Sequence, residues 1–541
     1  MQPNRSVSWL RQSGVLLAIA LLMSLAALWN GQAFFYPDTP TYLRGAEMGA
    51  SRVLGPAAFK PWLPVPQAEP APGASTSGPA QPPKRIKPLT SIEDKVVLAG
   101  RSVYYGALAY AGYLAGNMWL TVAVQALAVA YVLQLLMGRL WGFSGRQTIF
   151  VAAALSLATP LGVYTGFLMP DVFAPLVILC IGTLAVYWQQ LGRGQRWMLA
   201  LILLFGLCAH ASHVALAALL LVLALAARWL GRRWRGLSAA ALVVTACCIA
   251  GAVAAEWAFG KAVTVAVGAS PLRLPHPMAR LIDLGPGTAY LQQHCPASGF
   301  AACAYLQNYP TAWDDFLFST DPAKGAFALA DVATKRRLSE EQLRFAREVI
   351  RFDPAGVASG IGVDVLRQLV NFRVDVAGYG SRGLAMFEGR VPDDIFASMQ
   401  ASRAASEQAP LNNWLTLSTY ALVLASLAVL ANSWLRPGTP VSALVGSAGA
   451  IDPARRLFAD FVWTVVAGVV ANAVVCATLA SSMDRFQARV VWLLPFVALA
   501  VLVRANASRS RRARPGNLSM PSPVSLLQRG NPQRSMPFQT P

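Results

Sequence analysis

Runs of about twenty mostly apolar residues recur along this chain, the length an α-helix needs to cross the hydrocarbon core of a bilayer. Inside lipid every backbone N–H and C=O must find its partner within the protein, so such runs fold as helices. Ten are expected, at about Val15–Trp29, 118–137, 147–165, 171–190, 197–212, 214–230, 237–257, 413–434, 458–480 and 489–504. With 55% hydrophobic and 13% charged residues and a mean hydropathy of +0.46, the chain lies outside the soluble balance. The fold class is therefore an all-α polytopic membrane protein with about ten transmembrane helices and a small, mainly helical outer domain.

A net charge of +20 would suggest nucleic acid in a soluble protein. Here the basic residues cluster between apolar runs: Arg5 and Arg11, Arg139 and Arg146, Arg193 and Arg196, Arg232, Arg233 and Arg235, then Arg436, Arg455 and Arg456, with Arg504, Arg509, Arg511, Arg512 and Arg514 in the tail. Placing all of them in the cytoplasm gives one consistent alternation of spans, with both termini cytoplasmic. Nucleic acid has nothing left to explain. The expected location is a bacterial inner membrane, crossed many times, with membrane lipids as the surrounding partner. A cleaved signal peptide competes for the first run, because Gly31 and Ala33 loosely fit a small-x-small site. Against it, the run is longer than a usual h-region, and Phe34 and Phe35 read as interface anchors.

Four regions follow. An N-terminal transmembrane module covers 1–257, and its first outer loop, 31–100, carries a Pro, Ala, Gly and Ser-rich insert at 64–88 expected to be disordered. The flanks of that insert, PTYLRGAEMGASRVL and SIEDKVVLAGRSVYYGALAYAGYLAG, read as interfacial helices. Residues 258–412 form an expected outer domain, 413–504 the last spans, and 505–541 a disordered basic tail. In the outer domain, LSEEQLRFAREVIRFDP reads as a helix with Ser339 and Gln342 approximating a capping box and Leu343, Ala346 and Ile350 on one face. Five of the seven cysteines lie in apolar segments; Cys295 and Cys303, in the outer region, are expected to pair as a disulfide.

Ionisable residues at the ends of spans gather on one side. Asp38 follows the first span in FFYPDTPTYLRGA, Asp171 lies in TPLGVYTGFLMPDVFAP, His210 and His213 in CAHASHVAL, and Asp484 and Arg485 in SSMDRFQARVVWLLP. Each has a structural alternative. Asp38 and Asp171 could cap the helices that follow them. The two histidines, three apart, share a helical face and could bind metal, hydrogen-bond locally or meet substrate. Asp484 and Arg485 could pair with each other, or Arg485 could meet a phosphate. Asp283, Asp314, Asp315, Asp393 and Asp394 read as solvated surface. P-loop, GxGxxG, HExxH and GxSxG patterns are missing from the sequence. Acids near mid-membrane are missing too, which weighs against an ion-coupled transporter.

An acid shortly after the first span, a long first outer loop, a Met-Pro-Asp turn before the fourth span, a large later outer domain and the late turn MDRFQAR together resemble the GT-C superfamily of membrane glycosyltransferases. FFYPDTPTYL resembles the first-loop segment that supplies that family's catalytic acid, which implies the role for Asp38. MDRFQAR resembles a late DRY-like turn, which implies a phosphate contact for Arg485. Relatives often carry paired acids in the first loop, whereas here Asp38 stands alone with Glu47 further on. The resemblance implies a polyprenyl-phosphate-sugar donor and an unidentified envelope acceptor. It leaves the cofactor unassigned, with a divalent cation open. Asp171, His210, His213 and Asp484 complete the expected substrate-binding set. The competing readings are a non-enzymatic lipid or polysaccharide transporter and a polysaccharide polymerase or ligase of another membrane fold.

Overall fold

A computed structural model of the protein describes residues 5–55, 60–63, 96–231, 236–435 and 453–512. The expected insert at 64–88, the arginines at 232, 233, 235 and 436, and the tail beyond Arg512 lie outside the described residues. The chain runs α1 (Arg5–Asn30), α2 (Thr39–Leu54), β1 (Leu98–Ala99), α3 (Val103–Gly116), α4 (Trp119–Gln134), α5 (Gly145–Ala158), α6 (Leu161–Thr165), α7 (Phe173–Tyr187), α8 (Arg193–Ala209), α9 (Ala211–Leu230) and α10 (Ala239–Val267). It continues through β2 (Leu272–Arg273), α11 (His276–Asp283), α12 (Pro286–His294), α13 (Trp313–Phe318), α14 (Val332–Phe352), α15 (Pro354–Val370), α16 (Gly380–Ala385), α17 (Asp393–Ala401), α18 (Pro410–Leu435), α19 (Pro453–Leu479), α20 (Asp484–Val491) and α21 (Leu493–Arg512).

Eight helical stretches among the described residues are long and apolar enough to cross a membrane: Arg11–Asn30, Trp119–Leu140, Pro170–Gln190, Ala211–Leu230, Ala239–Val267, Pro410–Ser433, Pro453–Leu479 and Asp484–Asn506. The chain is thus a helical, multi-pass membrane protein. The remaining two expected spans are shorter helices, α5 with 14 residues and α8 with 17. α5 stops where Thr159-Pro160 removes an amide donor and the chain restarts as α6. α8 and α9 are separate because His210 is extended, with φ −158° and ψ 135°. α10 runs ten residues past its expected end at 257, and α21 extends to Arg512, so the first part of the expected tail is helical.

α7 is the central strut, with every residue from Phe173 to Tyr187 buried. Lipid is as apolar as leucine, so such a helix is held by close packing and internal hydrogen bonds more than by a hydrophobic driving force. At one end of the bundle Trp141 packs against Phe458, Phe461 and Phe496 at ring separations of 5.2–5.5 Å, and its indole N–H donates to the Tyr187 hydroxyl at 3.1 Å. At the other end the α6–α7 connection leaves irregular backbone, which is tolerated at this depth only when protein satisfies it. Gln125 of α4 does so: its amide N–H groups donate to the carbonyls of Thr165 at 2.8 Å and Phe167 at 3.1 Å, while its oxygen accepts from the Tyr105 hydroxyl at 3.0 Å. Gln125→Leu strands all three groups, and a loss of about 2–3 kcal/mol is expected on a denaturant titration in detergent.

The chain between α1 and α4 folds back over this end. α2 lies against α3, and the close approach requires Gly106, where an added Cβ would sit 2.4 Å from the Tyr42 carbonyl oxygen. β1 pairs in parallel with β2, Leu98 opposite Leu272, which ties the loop to the later outer segment. That segment has its own apolar core, including Met278, Leu291, Phe316, Phe327, Phe345 and Val349. It belongs to the same compact unit as the bundle up to Leu499. Cys295 is disulfide-bonded to Cys303.

Two local expectations for the outer segment need correction. α14 begins seven residues before Ser339, at Val332, with the Asp331 carboxylate accepting from the Thr334 amide at 2.7 Å; Ser339 instead accepts from the Arg273 amide. Its buried stripe is Leu338, Phe345 and Val349, whereas Leu343 is 68% exposed and Ile350 is exposed too. A 3–4 spacing fits two stripes on this helix, and neighbouring elements chose the other one. Asp283 is likewise no solvated surface residue: with Asp364 it flanks the buried Arg280, whose Nε also donates to the Ala477 carbonyl at 3.1 Å.

Candidate active site

The loop after α1 is pinned to the α6–α7 connection by a short parallel bridge: the Phe34 amide donates to the Gly166 carbonyl at 2.9 Å, and the Leu168 amide to the Phe34 carbonyl at 2.9 Å. Thr39 closes the turn, accepting from the Tyr36 amide and donating to the Leu168 carbonyl at 3.0 Å. The segment between α15 and α18 clasps the loop from the other side. The Phe35 amide donates to the Tyr379 hydroxyl at 2.7 Å, Arg390 donates to the Pro37 carbonyl at 2.8 Å, and the Ala404 amide donates to the Asn30 side chain at 2.8 Å. Asp38 and Asp171, 133 positions apart, are in this way delivered to one end of the bundle.

Asp38 stands at the N-cap position of α2 but its side chain makes no capping bond. The carboxylate reaches Arg101 instead, at 2.7 Å, with 28% of the acid's and 19% of the arginine's side chain exposed. Arg101 is set by its neighbour: the Ser102 hydroxyl caps α3 through the Tyr104 and Tyr105 amides and donates to the Cys208 carbonyl at 2.6 Å, beside His210. Asp171 makes no capping bond either. It is 2% exposed and lies 3.5 Å from Arg485 Nε and 3.3 Å from Arg489 Nη1. Arg489 also donates to the Asn472 side-chain oxygen at 3.2 Å. The Arg485 guanidinium covers the Tyr36 ring at 4.1 Å, two residues before Asp38. Asp484 does not pair with its neighbour; it accepts from the Arg373 amide at 2.8 Å.

His210 closes the far side, within electrostatic reach of Arg101, Arg485 and Arg489. Its Nδ1 accepts from the Ser212 amide at 3.2 Å, so a neutral ring carries its proton on Nε2. His213, with ring centre 5.4 Å away, uses Nδ1 toward the Gly206 carbonyl at 2.7 Å, and its buried Nε2 has no hydrogen-bond partner. Among the described residues no group of three or more His, Cys, Asp and Glu is placed to hold a metal. Glu47 lies apart from the cluster, with Arg44 and the Trp62 amide as its neighbours.

The charge balance is the feature that defines the site. Arg101, Arg485 and Arg489 face the carboxylates of Asp38 and Asp171, and Arg390 is also within electrostatic reach of Asp38. The buried Nε atoms of Arg485 and Arg489 have no hydrogen-bond partner. Burial pushes the Asp38 carboxyl up, but Arg101, Arg485 and Arg390 together outweigh it and hold the group below the ordinary carboxylate value. It is a carboxylate at any physiological pH.

Sequence reasoning named Asp38, Asp171, His210, His213, Asp484 and Arg485; the fold brings all of these together except Asp484, which turns to the Arg373 amide. It missed Arg101, Arg489 and His276. Arg489 is one helical turn from Arg485 on α20, a spacing visible in MDRFQAR. Arg101 is one of several basic residues between the first span and α3, with nothing in the sequence to set it apart from the others. His276 had no signal at all; it starts α11, stacks on Trp313 at 5.5 Å and feels Arg101 and Asp38. Burial and the Arg101 charge pull its pKa down from 6.5 to about 4, with Asp38 opposing. The unfolded chain then binds the proton first, so stability falls as pH drops from about 6.5 towards 4. Asp38 acts lower, since its contribution is present above its ordinary 3.8 and is lost only beneath it. Melting curves at pH 7 and pH 5 should therefore separate further in the wild type than in His276→Gln; equal separations would refute a neutral, buried imidazole.

The fold and this end of the bundle define a class: a helical, multi-pass membrane protein with a cationic cluster and a paired carboxylate gathered at one end. Neither a known family model, nor a curated protein, nor a solved structure matches the chain.

Proposed function

We propose that the protein is an integral membrane glycosyltransferase that moves a sugar from a polyprenyl-phosphate donor to an acceptor on the outer, periplasmic face, with all ten expected helices crossing the membrane. The observation that carries this reading is the excess of guanidinium over carboxylate around Asp38, at the end of a bundle whose sides face lipid. A donor with a lipid tail and an anionic head meets both requirements: the tail stays in the bilayer while Arg101 and Arg485 hold the phosphate, with His210 donating from Nε2.

The reaction is a single inverting displacement. The acceptor hydroxyl attacks the anomeric carbon, the bond from that carbon to the phosphate oxygen breaks, and the electron pair leaves with polyprenyl phosphate. The hydroxyl proton passes to Asp38, one of whose oxygens is occupied by Arg101 while the other remains available. A salt-bridged carboxylate is a weak base on its own. An incoming phosphate competes for the same cations, so donor binding itself raises the basicity of Asp38 as the acceptor is engaged. Asp171 holds Arg485 and Arg489 in place.

The test is direct. The full chain in lipid nanodiscs is incubated with polyprenyl-phosphate-linked hexoses and pentoses, and release of polyprenyl phosphate is followed by mass spectrometry. Cleavage supports the proposal; movement of the intact donor between leaflets of a vesicle with no cleavage would replace it with the transporter reading.

A further inference from the structure

A second feature adjoins the charged cluster. Residues 372–376 run beside the first turns of α18, with Phe372, Val374 and Val376 buried and Arg373 and Asp375 exposed. Alternate side chains are therefore covered and open. The run is fastened by the Val374 amide donating to Thr416 at 3.0 Å, the Ala377 amide donating to Asn412 at 2.9 Å, and Phe372 stacking on Tyr420 at 4.0 Å. Between it and α18 lies a cleft of about 550 Å³, within the range of clefts that hold small ligands. Asp375, Glu407, Asn413, Leu417 and Tyr420 are among its lining residues, with Arg373 at the end where its amide meets Asp484.

The cleft lies next to the candidate active site. Asp484 is followed directly by Arg485, and Asp375 is within electrostatic reach of Arg485 and Tyr36. The lining says what enters. Two carboxylates, amides and one guanidinium offer paired donors and acceptors for hydroxyl groups, while Tyr420 and Leu417 supply apolar surface for a ring. Carboxylates on both sides repel a phosphate head. We infer that this cleft is the acceptor site, that it takes a hydroxyl-rich, non-anionic saccharide, and that Asp375 binds the hydroxyl presented towards Asp38. The inference deepens the glycosyl-transfer reading and rests on it for the word acceptor.

Binding can be read without turnover. Saturation-transfer NMR is run on the full chain in nanodiscs with maltotriose, mannotriose and triacetylchitotriose as probes, using wild type, Asp375→Asn and Leu417→Trp. Leu417 is 71% exposed, so its replacement fills the cleft without disturbing a core. At least one probe should bind the wild type, and bind about tenfold more weakly to Asp375→Asn, the loss expected for one hydrogen bond to a charged group. Leu417→Trp should abolish it. If no probe binds the wild type, or both cleft variants bind as the wild type does, the assignment is wrong even where donor cleavage is observed. Binding that the cleft variants remove, in a protein that never cleaves donor, upholds the saccharide site and sinks the transferase reading instead.

Discussion

Asp38→Asn is expected to lower donor turnover by about three orders of magnitude while leaving the protein folded, because removing a positioned general base typically costs 10²–10⁴-fold. The two halves of that expectation have separate physical grounds. The amide keeps the shape of the carboxylate but cannot accept the acceptor's proton, and it leaves Arg101 without its counter-charge. The ion pair it breaks is partly open to solvent, so the stability loss stays near 1 kcal/mol or less. Asp38→Glu retains the charge and moves it by one methylene, and a loss of about 10²-fold is expected from misplacement alone. Arg101→Ala offers the complementary reading: the acid remains, the phosphate contact goes, and the donor KM should rise along with a fall in kcat. Release of polyprenyl phosphate by purified Asp38→Asn at near the wild-type rate, in a sample with wild-type melting, removes Asp38 from the chemistry.

Much of this site was legible in the sequence, for a physical reason. A charged residue at the mouth of a span has few excuses to be there, so Asp38, Asp171, His210 and Arg485 stood out, and alternation of spans put them on one side. What could not be read was their pairing. Asp38 sits where a capping residue belongs, and nothing local says that its side chain turns to Arg101, on the far side of the 64–95 stretch. Asp484 and Arg485 are neighbours in sequence yet point to different partners, because adjacent helical residues diverge by about 100°. The apolar runs marked the helices well, but breaks at Pro160 and His210 shortened α5 and α8, and packing chose which stripe of α14 to bury. The cleft beside Asp375 is assembled from two stretches far apart in the chain, 373–375 and 407–420, so only the fold reveals it.

Asp171→Asn is expected to be the most destabilising single change at this end of the protein, by about 3–5 kcal/mol, since it strips the counter-charge from two buried guanidinium groups at once. Arg489 bears most of that loss: its side chain is 3% exposed, against 10% for Arg485, which keeps the Tyr36 ring beneath it. Combining Asp171→Asn with Arg489→Met should therefore recover stability relative to Asp171→Asn alone, and a double-mutant cycle should give a coupling of about 1–3 kcal/mol. The same variant tests what the arginines are for. If they exist to meet a phosphate, polyprenyl phosphate at about 100 times its Kd stabilises the wild type by about 2.7 kcal/mol, as any ligand of the folded state must. It should stabilise Asp171→Asn by more, because there the added anion also restores a missing charge. Thermal melting in nanodiscs with and without the lipid reads both effects. A variant that melts with the wild type, or one to which the phosphate lipid is indifferent, means that Asp171 and its two arginines neither hold the fold nor await an anion.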